Sequence, residues 1–136
     1  MKETPEQKAE DTNTPENVEK VRVKCLLIDD HTRMIKALNE YFSDFDNFVA
    51  VECHSVEDAL NAIRANSPKV LFLDNSLTLG GNEGLEIAEK AREIDPDMKI
   101  YSTTTNDSLI KSYETQGIGH IDKTDTKTMR AIISGE

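Results

Sequence analysis

The chain has 136 residues, of which 37% are hydrophobic and 31% are charged, a length and balance typical of one globular domain. Its formal net charge of −10 argues against nucleic acid as a direct partner, because contacts to phosphate need clustered Lys and Arg. No run approaches the roughly 18 apolar residues of a membrane span and residues 1–20 lack the apolar core of a signal peptide, so we expect a cytoplasmic protein without membrane contact.

The first twenty residues have the composition of a disordered tail. Residues 1–20 contain six acidic residues, three lysines and two prolines, with very few apolar side chains. Such a segment cannot bury enough apolar surface to offset the entropy lost on ordering. We therefore predict a disordered acidic tail over residues 1–20 and a folded domain over residues 21–136.

The folded part alternates between short apolar runs and amphipathic segments. The apolar runs predict strands over residues 21–28, 48–53, 70–73, 98–103 and 117–122. The other segments predict helices that follow Asp30, open at the capping-box pair Ser55 and Asp58, and span residues 83–93, 107–116 and 126–134. Five successive βα units predict an α/β fold, a doubly wound parallel sheet with helices on both faces.

Apolar residues three or four positions apart predict the inner face of each helix. In chain order, the inward residues are predicted to be Met34, Ile35, Leu38, Tyr41, Phe42 and Phe45; Val56, Ala59, Leu60 and Ile63; Leu85, Ala88 and Ile94; Leu109, Ile110 and Tyr113; and Met129, Ile132 and Ile133. Cys25 and Cys53 fall in predicted strands, where we expect small buried thiols instead of a disulfide or a metal pair.

Residues with chemical potential stand where the predicted strands end. They are Asp29, Asp30, Asp74, Thr104 and Lys123. A lone acid at a strand end is more often a solvated turn residue. In an open parallel sheet, however, the carboxyl ends of the strands line the ligand site.

These five residue types suit phosphoryl transfer to a carboxylate. Three carboxylates placed together repel one another, which favours a bound hard cation such as Mg²⁺. A hydroxyl and an ammonium group opposite them suit a tetrahedral oxyanion. An aspartate can itself accept a phosphoryl group.

Five segments, taken in order, resemble the receiver domain of two-component response regulators of the single-domain chemotaxis type. They are LLIDDH, VLFLDNS, GLE at residues 84–86, IYSTTTN and HIDKT. The resemblance covers about residue 22 to the end of the chain and implies a flavodoxin-like sheet of order 2-1-3-4-5. It also implies a stand-alone regulator that catalyses only its own aspartyl phosphorylation and dephosphorylation and acts on a downstream protein target.

The resemblance assigns a role to each strand-end residue. Asp74 would accept a phosphoryl group from a histidine kinase or a histidine phosphotransfer protein. Asp30 would bind Mg²⁺ directly, Asp29 would bind it partly through water, and the backbone carbonyl of Ser76 would complete the protein ligands. Thr104 and Lys123 would hold the phosphoryl oxygens, and Thr104 with His120 would form the conformational switch.

Several positions depart from the family pattern. The loop between Asp74 and Gly84 is about two residues longer, and the spacing from Thr104 to Lys123 is about three residues shorter. Individual differences from the usual residue occur at Thr78, Thr105, His120 and Thr124. They put the partner-binding face in question and leave the acidic site in place.

Two other functions are compatible with the sequence. A degenerate receiver would bind proteins without being phosphorylated. A phosphatase of the haloacid dehalogenase type is also phosphorylated on its own strand-end Asp. It needs a second Asp two residues later as general acid and base, and this chain has Ser76 at that position.

Overall fold

A parallel sheet with five strands organises the part of the chain described by the computed structural model, which is residues 22–77, 83–104 and 107–135. The strands are β1 (Cys25–Asp29), β2 (Phe48–Glu52), β3 (Val70–Leu73), β4 (Lys99–Ser102) and β5 (Gly119–His120). Their spatial order is β2-β1-β3-β4-β5, and every neighbouring pair is parallel. The predicted doubly wound sheet of order 2-1-3-4-5 is therefore confirmed.

A helix follows each strand and covers one of the two faces of the sheet. The helices are α1 (Thr32–Tyr41), α2 (Val56–Asn66), α3 (Gly84–Ile94), α4 (Asp107–Glu114) and α5 (Thr126–Ile133). Buried residues of α1 and α5 share one core with Leu27 and Phe72, whereas those of α2, α3 and α4 share the other with Leu26 and Leu71. Neighbouring residues of one strand thus enter opposite cores, as the pleat of a strand requires.

The two central strands explain why the sequence shows continuous apolar runs. Every residue of β1 and β3 is buried, because helices cover both faces of the sheet there. Cys25 lies in one core and Cys53 in the other, and both are free thiols. Burial raises the pKa of each thiol to about 11, so both stay protonated, and the prediction of small buried thiols is confirmed.

The helix boundaries follow the predicted caps closely, but a residue of α3 that was predicted to face inward is exposed. The Ser55 side chain accepts a hydrogen bond from the Asp58 backbone N–H at 3.0 Å, as the predicted cap requires. In α3, however, Ile94 is 42% exposed, and the buried residues are Gly84, Ile87, Ala88 and Ala91. Ile94 is the last residue of α3 and lies on the same side of the helix as buried Ile87, so its position at the helix end leaves it exposed, and its prediction as an inward residue was wrong.

Other elements are shorter than predicted. Helix α1 ends at Tyr41, while Phe42 and Phe45 pack into the core from the turn that follows. Tyr41 is 51% exposed, so its prediction as an inward residue was wrong. Strand β5, an edge strand that pairs with β4 alone, keeps only two residues.

Three sequence predictions fall on residues outside the described ranges. They are the disordered tail over residues 1–20 and the departures at Thr78 and Thr105. Within the described ranges, no helix combines the length and apolar character that crossing a membrane requires.

Candidate functional site

Strands β1 and β3 bring three carboxylates together at the carboxyl end of the sheet. Asp29 is the last residue of β1, Asp30 follows it, and Asp74 follows β3, the neighbour of β1. The Asp74 backbone N–H donates to the Ile28 carbonyl at 3.1 Å, which keeps the two strand ends level. One ligand atom from each carboxylate, together with one from His31, lies within 4.8 Å of the others. The structure thus brings together the three acids that the sequence placed at strand ends.

The ammonium group of Lys123 joins this cluster from the strand at one side of the sheet. Lys123 follows β5, and its Nζ lies 3.2 Å from Asp29 Oδ2 and 3.6 Å from Asp74 Oδ1. Its side chain is only 18% exposed, so the ion pairs are poorly screened by solvent. Lys123 is therefore a fixed positive charge between two carboxylates.

The carboxylates experience different electrostatic environments. Burial raises the pKa of Asp74, the negative charge of Asp29 raises it further, and Lys123 opposes both effects only in part. Burial also acts to raise the pKa of Asp29, but the hydrogen bond from His31 and the charge of Lys123 outweigh it and lower that pKa. Of Asp29 and Asp74, Asp74 is therefore the carboxylate whose charged form the surroundings disfavour.

His31 contacts the acidic cluster in a way that the sequence did not predict. It precedes α1 as the N-cap residue without a side-chain capping bond. Instead its Nδ1 lies 2.6 Å from Asp29 Oδ1 and 3.0 Å from Asp30 Oδ1, and its backbone N–H donates to Asp29 Oδ1 at 3.0 Å. The only available sequence signal was its position next to the acid pair.

Thr104, Ser76 and His120 lie around the same edge. Thr104 is buried two residues beyond the end of β4, and its backbone N–H donates to Ser102 Oγ at 3.2 Å. Ser76 is half-buried in the loop after β3. His120 pairs in register with Ser102, and its Nδ1 is buried without a hydrogen-bond partner among the described residues.

Asn75 links Asp74 to two helices, which the sequence gave no means of predicting. Its backbone N–H donates to Asp74 Oδ1 at 3.0 Å, and its carbonyl accepts from the Gly84 N–H at 2.8 Å. Its side-chain Oδ1 accepts from the Tyr113 hydroxyl of α4 at 2.8 Å. Because 38 positions separate Tyr113 from Asn75, no local pattern signals this pair.

A family comparison decides what this acidic edge belongs to. The family model described as the response regulator receiver domain matches residues 25–134, which is most of the chain. The chain belongs to the response regulator receiver domain family. Membership supports a phosphoacceptor role for this receiver domain, and the acidic cluster has the composition of a metal site.

Solved structures show the same fold. NtrX from Brucella abortus aligns with TM-score 0.65 and 20% identity, over 84% of this chain and 26% of that chain. Response regulator protein TrrA from Thermotoga maritima, in complex with Mg(2+)-BeF, aligns with TM-score 0.63 and 19% identity, over 82% and 97%. Adenylate cyclase from Rhodopirellula baltica aligns with TM-score 0.66 and 26% identity, over 83% and 85%.

The share of the relative that is covered differs between these structures. The receiver domain spans only about a quarter of the NtrX chain. Among curated proteins, no sequence matches this one.

Proposed function

We propose that this receiver domain accepts a phosphoryl group on Asp74 from the phosphohistidine of a histidine kinase or of a histidine phosphotransfer protein. An Asp74 carboxylate oxygen forms a bond to phosphorus while the P–N bond of phosphohistidine breaks, and the bonding electron pair returns to the imidazole nitrogen. The observation that carries the proposal is the buried Asp74 carboxylate at the end of β3, with Lys123 Nζ 3.6 Å from its Oδ1 and two further acids beside it.

The acidic cluster suits Mg²⁺ as its resident ion. Asp30 Oδ1 is buried and receives no hydrogen bond from the described residues, although His31 Nδ1 lies 3.0 Å away. A buried anionic oxygen without a donor fits a bound cation. Asp29, Asp30 and Asp74, with the backbone carbonyl of Ser76, would hold the ion. When bound, it would offset the negative charge that builds up as an anionic phosphoryl group meets a carboxylate.

Lys123 and Thr104 would complete the proposed site. The Lys123 ammonium group is already held beside Asp74 and would ion-pair with a phosphoryl oxygen as a compact charge. The Thr104 hydroxyl would donate to a second phosphoryl oxygen. His120 of β5, which pairs in register with Ser102 of β4, would then move with Thr104 as the switch residue. The domain then acts on a downstream protein through its changed surface and has no catalytic activity beyond its own phosphorylation and dephosphorylation.

Labelling with a small phosphodonor tests the proposal. The protein is incubated with acetyl phosphate and Mg²⁺, and the intact mass is followed with time beside the variants Asp74→Asn and Asp97→Asn. Asp97 is an exposed acid and serves as the matched control. We expect stable stoichiometric label on the wild type and on Asp97→Asn, and none on Asp74→Asn.

The other outcomes separate the alternative functions. No label on the wild type would indicate a receiver that binds proteins without phosphorylation. Rapid release of phosphate with little accumulated label would indicate a phosphatase. Label that persists on Asp74→Asn would contradict Asp74 as the acceptor.

A further inference from the structure

Asn75 stands between the proposed acceptor and the two helices that follow it in the chain. One hydrogen bond joins its backbone N–H to Asp74 Oδ1, a second joins its carbonyl to the Gly84 N–H at the start of α3, and a third joins its side chain to Tyr113 on α4. Asn75 therefore connects the carboxylate of Asp74 to both helices through three direct contacts.

The contact between Asn75 and Tyr113 is buried and sterically confined. Tyr113 is fully buried and Asn75 is 6% exposed, so neither group can exchange its partner for water. A Cβ built on Gly84 would lie 2.0 Å from the Tyr113 hydroxyl oxygen and 2.8 Å from Asn75 Cα. Only glycine at position 84 leaves room for the Tyr113 hydroxyl. This close packing holds the Tyr113 side chain against Asn75.

We propose that Tyr113 is a positioning residue that couples α4 to the phosphorylation state of Asp74 through the side chain of Asn75. The inference rests on the proposed function, because it needs Asp74 to be the acceptor. Phosphorylation replaces the carboxylate that the Asn75 N–H contacts by an acyl phosphate, whose phosphate group carries a charge of about −2. A displacement of Asn75 then shifts the oxygen that Tyr113 binds, and with it the helix that carries Tyr113.

If Tyr113 served only to fill the core, loss of its hydroxyl would not change how α4 responds to Asp74. Packing alone would keep α4 in place without its hydroxyl, and the helix would respond to changes at Asp74 equally well with phenylalanine. The coupling proposed here depends on a single oxygen atom, so the substitution Tyr113→Phe removes it while retaining the ring.

The matched control is Tyr101→Phe. Tyr101 lies on β4 and stacks on Phe72 with ring centroids 5.7 Å apart, and its hydroxyl makes no hydrogen bond to any residue of the described ranges. Backbone amide NMR spectra of wild type, Tyr113→Phe and Tyr101→Phe are recorded with Mg²⁺, before and after addition of beryllofluoride as a phosphoryl mimic.

We expect beryllofluoride to shift the amides of residues 74, 75 and 123 in all three proteins. In Tyr113→Phe the amide shifts across α4 should fall by about twofold or more relative to wild type, while Tyr101→Phe keeps them. Undiminished α4 shifts in Tyr113→Phe would overturn the coupling. A wild type whose site amides do not respond would instead overturn the proposed function itself.

A second variant covers the case in which Tyr113→Phe does not fold. Replacing both partners, Tyr113→Phe with Asn75→Leu, leaves no buried acceptor without a donor. In this double variant the site amides should respond while α4 does not. A full α4 response there would also overturn the coupling.

Discussion

The substitution Gly84→Ala tests the packing of α3 against Asn75 and Tyr113. The new Cβ would lie 2.0 Å from the Tyr113 hydroxyl oxygen, 2.8 Å from Asn75 Cα and 3.1 Å from the Asp74 carbonyl oxygen. Two of these atoms belong to the backbone, and Tyr113 is fully buried, so the obstacles cannot swing aside. We expect the variant to be strongly destabilised.

The magnitude follows from two costs and one gain. Forcing an extra carbon into a packed core costs about 1–3 kcal/mol, and separating Tyr113 from Asn75 leaves buried polar groups unpaired for about 1–3 kcal/mol more. Alanine recovers up to about 1 kcal/mol over glycine in a helix. The net loss of about 1–5 kcal/mol is a substantial part of the roughly 5–15 kcal/mol that stabilises a typical domain.

Urea unfolding followed by far-UV circular dichroism measures this loss. The matched control is Gly119→Ala, whose Cβ would lie 3.2 Å and 3.4 Å from two ring carbons of Tyr101, and its free energy of unfolding should change by under about 1 kcal/mol. In a Tyr113→Phe background the hydroxyl obstacle is gone, so the effect of Gly84→Ala should shrink by about 1 kcal/mol or more. An equal effect in both backgrounds, or a loss of less than about 0.5 kcal/mol in the wild type, would refute the reasoning.

Three further predictions concern the acidic site and the tail. Asp30→Asn should weaken Mg²⁺ binding strongly in calorimetry because it removes an anionic ligand, and unchanged affinity would contradict the metal assignment. Asp74→Asn should stabilise the protein in EDTA. Burial and the charge of Asp29 raise the folded-state pKa of Asp74 above 3.8. The contribution of this group to stability is therefore present below the unfolded-state pKa and is lost as pH rises through the folded-state pKa. The difference in free energy of unfolding between Asp74→Asn and wild type should therefore grow as pH rises through that range, and a constant difference would show that Asp74 is not perturbed. Deleting residues 1–20 should leave the melting temperature nearly unchanged, since the segment offers almost no apolar side chain to the core, whereas a fall of several degrees would show that it packs.

The end of helix α3 illustrates where sequence reasoning failed. Leu85, Ala88 and Ile94 were predicted as one inward face, but Ile94 is exposed while Ala91 is buried. An apolar side chain at a helix end contributes little to the periodic pattern, and the small residue Ala91 signals its burial weakly. Only the tertiary structure shows how closely the start of α3 packs, where Gly84 has no room for a side chain beside Tyr113 of α4.

The sequence by itself determined the sheet and the residues at its edge. Continuous apolar runs predict strands buried on both faces, and the rule for parallel sheets places Asp29, Asp74 and Lys123 at one edge, since each of these signals lies within a few neighbouring residues. Only the tertiary structure decided that His31 contacts Asp29 and that Tyr113 binds Asn75. These contacts depend on the direction of individual side chains and, for Tyr113, on a neighbour far away in the chain, and the packing of complete helices against the sheet sets both.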